Sequence, residues 1–143
     1  TRFVFGEEPI NVQASCFFDP QYEVDLRTSA ILEFSGDRHA TIHMAMDGQG
    51  GPGAAIYGDK GYINVPQPYH PRQDAHLGVW TPEGEQRHPS DDGRYPFTPA
   101  IDHFHEVLLD GKQLAVPATN ALGTIALVEA IFESARTGNR VTL

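Results

Sequence analysis

The chain has 143 residues, 40% of them hydrophobic and 20% charged. It reads as one soluble globular domain over 1–143, long enough to bury a core without disulfides or metal staples. Ten basic residues against nineteen acidic ones leave a net charge of −9, split between the two halves as four against nine in 1–70 and six against ten in 71–143. No basic patch can be drawn, which excludes nucleic acid and an anionic membrane surface as partners. No apolar run reaches the roughly 18 residues that span a bilayer. Cys16 is the only cysteine, so an intramolecular disulfide and a cysteine zinc cluster are both impossible. A single thiol suits a reducing compartment, and the expected location is cytoplasmic.

The first half alternates with a period of two. In Asn11–Phe18, Val12, Ala14, Cys16 and Phe18 share one face, while Asn11, Gln13 and Ser15 share the other. Thr28–Phe34 and His39–Met46 alternate in the same way, joined by Ser35, Gly36 and Asp37, which have hairpin-turn chemistry. A glycine-rich loop over 47–53 follows. Ala54–Tyr57 and Tyr62–Val65 predict a second hairpin, and Leu77–Thr81 with Glu85–His88 a third. Pro66, Pro68 and Pro71 make 66–76 an irregular excursion.

The period then changes to 3.6. Thr98 is expected to cap a helix with Pro99 in its first turn, Ile101, Phe104 and Leu108 as its apolar stripe and Gly111 as its stop. A second helix follows Thr119. Its expected inward stripe is Ala121, Ile125, Val128, Phe132 and Ala135; Glu129, Glu133 and Arg136 mark the wet face, and Gly138 ends it. Val141–Leu143 can return as a short strand. Strands first and helices last is the α+β pattern: a predominantly antiparallel open sheet of six or so strands with helices on one face. The helix-free face carries Asn, Gln, Ser, Thr and His, and is either wet or packed on a second subunit.

The motifs are thin. Gly48 to Gly53 satisfies G-x-G-x-x-G, but a dinucleotide fingerprint must open a helix whose N-terminal amides hold the pyrophosphate. Here a strand signal follows instead. His39 and His43 lie about 13 Å apart along an extended chain, and His103 and His105 diverge by about 200° on a helix. No metal site of protein ligands alone is expected. No G-x-S-x-G elbow appears, and Cys16 alternates inward as a small core residue. Tyr69, Tyr95 and Phe97, in loops, can wall a ligand pocket. The residues alone show no self-sufficient catalytic constellation.

Three runs carry a family resemblance: GEEPINVQA at Gly6–Ala14, IYGDKGYINV at Ile56–Val65, and NAL at Asn120–Leu122 continuing to VEAIFESARTG at Val128–Gly138. Their order resembles the C-terminal domain of the glucose–fructose oxidoreductase, inositol dehydrogenase and rhizopine-catabolism (Gfo/Idh/MocA) family. YINVPQPYHP, at Tyr62–Pro71, is similar to the dihydrodiol and xylose dehydrogenase branch. The resemblance implies a parent enzyme with an N-terminal Rossmann domain that holds NAD or NADP. That domain, with its glycine fingerprint and its Glu-Lys-Pro lysine, is expected to be absent from this chain. No catalytic residue and no cofactor-binding residue is carried over, and Asp102 and Glu106 are not promoted in their place.

The resemblance further implies an NAD(P)-dependent oxidoreductase acting on a sugar, cyclitol or dihydrodiol. This chain would be its substrate and oligomerisation domain, inactive by itself. Candidate substrate-pocket residues are Tyr69, His70, Tyr95, Phe97 and His103. The expected homo-oligomer uses the face bearing Gln13, Ser15, Ile31, Thr41 and His43. The competing reading is a stand-alone, non-catalytic module that dimerises or holds a small ligand.

Overall fold

The computed structural model describes residues 1–49, 53–66, 68, 76–89, 94–95 and 97–143. In chain order the elements are α1 (Arg2–Phe5), β1 (Asn11–Phe18), β2 (Asp25–Glu33), β3 (His39–Ala45), β4 (Ala54–Gly58), β5 (Gly61–Val65), β6 (His76–Thr81), β7 (Gly84–Pro89), α2 (Thr98–Asp110), α3 (Asn120–Thr137) and β8 (Val141–Thr142). All strand pairs are antiparallel. The eight strands among the described residues form two open four-stranded sheets, ordered β3-β2-β1-β8 and β4-β5-β6-β7, in place of one sheet of about six. The chain divides accordingly into two compact units, Thr1–Gly48 with Ala115–Leu143, and Gln49–Leu114.

In the first unit α3 covers one face of the β3-β2-β1-β8 sheet. Val12, Ala14, Ala30, Leu32 and Phe34 from the sheet side, with Leu127, Ala130 and Ile131 from α3, form the buried core, and Cys16, Ala40, Ile42, Phe132, Ala135 and Val141 pack against it. Each fully buried aliphatic side chain contributes about 1.5–3 kcal/mol. The rotation of α3 differs from the sequence expectation. Leu127, Ala130, Ile131 and Ser134 face inward, whereas Ile125 is 57% exposed and Val128 40%.

Ser134 explains the difference. It is fully buried; its Oγ accepts the Ala14 amide at 2.9 Å and donates to the Asn139 carbonyl at 2.6 Å. β8 pairs with only Asn11 and Val12 of β1. The next amide on that edge, Ala14, would be buried without a partner, and the Ser134 hydroxyl takes the place of the missing strand. A polar residue therefore sits at the centre of the buried helix face, and a reading of apolar periodicity passes over it.

The N-terminus is tied to the same unit. The Arg2 guanidinium makes two bonds of 2.5 Å to the Glu8 carboxylate and donates to the Asn120 carbonyl and to Thr124 Oγ1 at the start of α3. Gly123 leaves room for it: a Cβ there would lie 2.4 Å from Arg2 Nη2. Phe5 stacks on Phe34 with ring centroids 4.0 Å apart. Gly36 and Asp37 take left-handed φ values of 66° and 56° in the β2–β3 turn. Glu7 bonds Ser35 and Arg38 beside that turn.

In the second unit, Gly61 closes the β4–β5 hairpin with φ 152°, and a Cβ there would lie 1.9 Å from the Trp80 carbonyl oxygen. The helix α2 has Phe97 at its N-cap, not Thr98, with no side-chain cap bond. Phe97 already has helical φ and ψ, −89° and −8°, so the helix engages one residue early. α2 buries none of its residues, and Ile101, Phe104 and Leu108 are each more than half exposed. The helix that covers a sheet face is thus α3. Gly111 and Gly138 end the two helices in left-handed conformations, as the sequence indicates.

Ser134→Ala is expected to lower unfolding free energy by about 1–3 kcal/mol, because it leaves a buried amide without an acceptor. Urea denaturation followed by circular dichroism measures this, and a loss within error of zero would show that the Ala14 amide finds another partner.

Candidate functional site

Of the expected pocket residues, Tyr69 and His70 lie outside the described residues. So do 50–52 of the glycine run and most of the proline-rich excursion. After the run comes β4, a strand, so its residues do not fit the strand–turn–helix that cradles a pyrophosphate.

Tyr95 and Phe97 lie just before α2, and His103 lies within it. The Tyr95 and Phe97 rings lie 5.8 Å apart at 57°, both mostly exposed, and the Thr98 amide donates to the Tyr95 carbonyl at 2.9 Å. Arg94 pairs with Asp102 at 2.9 Å. His103 Nδ1 lies 3.8 Å from Glu106 Oε2, and Glu106 also takes Lys112 Nζ at 2.9 Å. The Lys112 hydrogen bond, then its charge, holds the Glu106 carboxyl below the usual glutamate range, outweighing a small desolvation effect, and His103 adds to the depression. A carboxyl lowered in the folded state adds stability above the ordinary glutamate value and loses that contribution as pH falls through the lowered one. No group of three potential metal ligands gathers among the described residues.

The five residues expected on the subunit face do share one face of the first sheet, opposite α3. Gln13, Ile31 and Thr41 stand in one cross-strand row, and Ser15, Ser29 and His43 in the next. Gln13, Ser15, Ile31, Thr41 and His43 are all exposed. Ser29 Oγ and His43 Nδ1 lie 2.8 Å apart, a pair on open sheet with no carboxylate bonded to it. These two rows carry no carboxylate, lysine or arginine. The flanking rows carry Glu33, which pairs with Arg140, and Arg27, which pairs with Asp47 at 2.7 Å and lies over the Phe17 ring. In a chain of net charge −9, this face has no carboxylate left without a cation.

One feature went unread in the sequence. A shallow notch of about 380 Å³ is lined by Phe18, Asp19, Pro20, Glu23 and Arg136. Its polar groups serve the fold. Asp19 Oδ1 accepts the Gln21 and Tyr22 amides, and the Arg136 guanidinium lies over the Phe18 and Phe132 rings. The signal available was Asp19 followed by Pro20, a turn-initiating pair. Cys16 is half-buried with its Sγ 3.3 Å from Thr28 Oγ1, a packed position. No helix among the described residues is long and apolar enough to cross a membrane.

Lys112→Ala is expected to raise the Glu106 titration toward the ordinary glutamate range. Carbon-detected NMR of the side-chain carboxyl follows it, and an unchanged midpoint would mean that the ion pair is not populated in solution.

Residues 1–64 match the model of the GFO/IDH/MocA C-terminal domain. An uncharacterized oxidoreductase of Rhizobium meliloti, ORF334, is 28% identical over 148 residues, across 99% of this chain and 44% of its own length. The aldose–aldose oxidoreductase from Caulobacter crescentus, solved with glycerol, superposes over 99% of this chain and 43% of its own, with a TM-score of 0.86 and 23% identity. An oxidoreductase from Agrobacterium radiobacter, solved with NAD+, L-tartaric acid and magnesium, does so over 99% and 45%, with a TM-score of 0.75 and 22% identity. The chain therefore spans under half the length of these relatives. Residues 1–64 are thus similar to the GFO/IDH/MocA C-terminal domain, and the fold is shared with these solved oxidoreductases over nearly the whole chain.

Proposed function

We propose that this chain is the substrate-side and oligomerisation domain of an NAD(P)-dependent oxidoreductase. The whole enzyme would move a hydride between a nicotinamide and a carbinol or carbonyl carbon of a sugar, cyclitol or dihydrodiol. The nicotinamide supplies the hydride chemistry from a domain beyond these residues. This chain supplies shape, orientation and assembly. The family match supports the oxidoreductase reading, as do the aldose named for one structural relative and the NAD+ bound to another. The reading assigns Tyr95, Phe97 and His103 to the substrate side, and with them Tyr69 and His70, which lie outside the described residues. Aromatic faces suit the C–H face of a polyol ring, and the histidine suits its hydroxyls.

The observation that carries the assembly half is the face of Gln13, Ser15, Ile31, Thr41 and His43. Short, uncharged side chains in register over three strands make a flat surface with a low desolvation cost, and its flanking charges are already neutralised. A second copy meets it without the like-charge repulsion that a net charge of −9 imposes elsewhere.

Two experiments test this reading. The reading frame ahead of Thr1 is expected to encode a strand, a G-x-G-x-x-G turn and a helix, followed by Glu-Lys-Pro. The 143-residue chain itself is expected to leave nicotinamide fluorescence unchanged. A stop codon at the boundary, or saturable NADH binding by this chain, would overturn the division of labour. For assembly, sedimentation at concentrations on the order of 10 µM is expected to give a dimer or larger species. Ile31→Arg, at the centre of the face, is expected to dissociate it by about tenfold or more in Kd. A wild-type chain that sediments as a monomer at ten times that concentration would sink the assembly half and leave the oxidoreductase half standing.

A further inference from the structure

The uncharged rows of the first sheet contain one side chain that can gain a charge close to neutral pH. His43 stands in the row of Ser15 and Ser29, next to the row of Gln13, Ile31 and Thr41, and is exposed. Ser29 Oγ lies 2.8 Å from its Nδ1. The Ser29 hydroxyl can donate to a neutral imidazole at this nitrogen, and can turn and accept from a protonated one. The serine therefore keeps the ring in its row in both states and supplies no charge to balance a proton.

The residues that share the face decide what such a proton meets. Along β3 they are His39, Thr41 and Ala45; β2 adds Arg27, Ser29, Ile31 and Glu33, and β1 adds Asn11, Gln13, Ser15 and Phe17. Arg27 is one row from His43 and is itself a cation, paired with Asp47 at 2.7 Å. The Arg27 hydrogen bond, with its charge, holds the Asp47 carboxyl below the usual aspartate range, so this pair keeps its charges in mild acid. Glu33 is two rows from His43, pairs with Arg140, and stands opposite His39. A proton on His39 thus has a carboxylate across the strand. A proton on His43 has a neutral row on one side and an arginine row on the other.

We propose that His43 makes assembly through this face sensitive to pH, two copies joining while His43 is neutral and separating as it takes up a proton. The proposal rests on the reading of this face as the contact between copies. Such a contact takes one imidazole from each copy out of water, among short uncharged side chains. A neutral ring enters at low cost, whereas an imidazolium would be buried without a counter-ion. Burial disfavours the charged form, so the joined copies bind the proton less well than the separate ones. Assembly is therefore complete above the ordinary imidazole range, near pH 6.5, and is lost as pH falls through it. At about pH 5.5 an ordinary imidazole is roughly nine-tenths protonated, which weakens association about tenfold for each copy and about a hundredfold for the pair.

Sedimentation equilibrium of the 143-residue chain at about pH 7.5 and about pH 5.5, at one ionic strength, is expected to show the dimer Kd rising by about a hundredfold in acid. His43→Gln keeps a neutral polar side chain at both pH values, and its Kd is expected to be the same at both. His39→Gln is expected to keep the response to acid. A wild-type dimer with one Kd at both pH values would overturn the proposal and leave the assembly reading standing. A wild-type chain that is monomeric at the higher pH would overturn both. An acid response that persists in His43→Gln, through other groups or through loss of the fold seen by circular dichroism, overturns the proposal, as does its disappearance in His39→Gln.

Discussion

The first unit is organised around one buried hydroxyl. Ser134 accepts from the Ala14 amide on the strand edge and donates to the Asn139 carbonyl beyond the helix. A two-residue strand such as β8 cannot satisfy the edge of an eight-residue strand, and an amide left bare beneath α3 would be costly. The hydroxyl meets that requirement and in doing so sets the rotation of α3. That rotation places Leu127, Ala130 and Ile131 over Val12, Ala14, Ala30 and Leu32. It also fixes where the chain turns at Gly138 to form β8.

Because α3 takes one face of this sheet, the other face is left with a pattern of its own. Side chains alternate strictly along each strand, so the residues opposite the core are Gln13 and Ser15, Ser29 and Ile31, Thr41 and His43. None of them could enter the core without the whole strand slipping by one residue and exposing Val12 and Leu32. The neutral face is thus the consequence of the hydrophobic one. In the second sheet the same alternation puts Ile56, Ile63 and Val79 on one face and Tyr57, Tyr62 and Trp80 on the other.

Strand positions were legible in the sequence because a period of two is distinctive. β1 falls at Asn11–Phe18 as read, and β3 and β5 differ by one residue at an end. The turns at Gly36, Gly61 and Gly84 follow from residues that tolerate positive φ. The stops at Gly111 and Gly138 follow from the same property. The five residues of the polar face were legible for the same reason, since alternation assigns a face without reference to any neighbour. The short helix α1 was not legible: four residues are too few for a periodic signal, and it is held by Arg2 reaching α3 more than a hundred positions away.

The amino-acid sequence by itself determined the elements, their antiparallel pairing through tight turns, and the side of each strand that seeks cover, because these depend on contacts between near neighbours. Only the tertiary structure decided the division into two sheets and the inward side of α3. Each of these turns on which groups meet across the fold. A helix with two interleaved apolar stripes is ambiguous until a distant amide selects one.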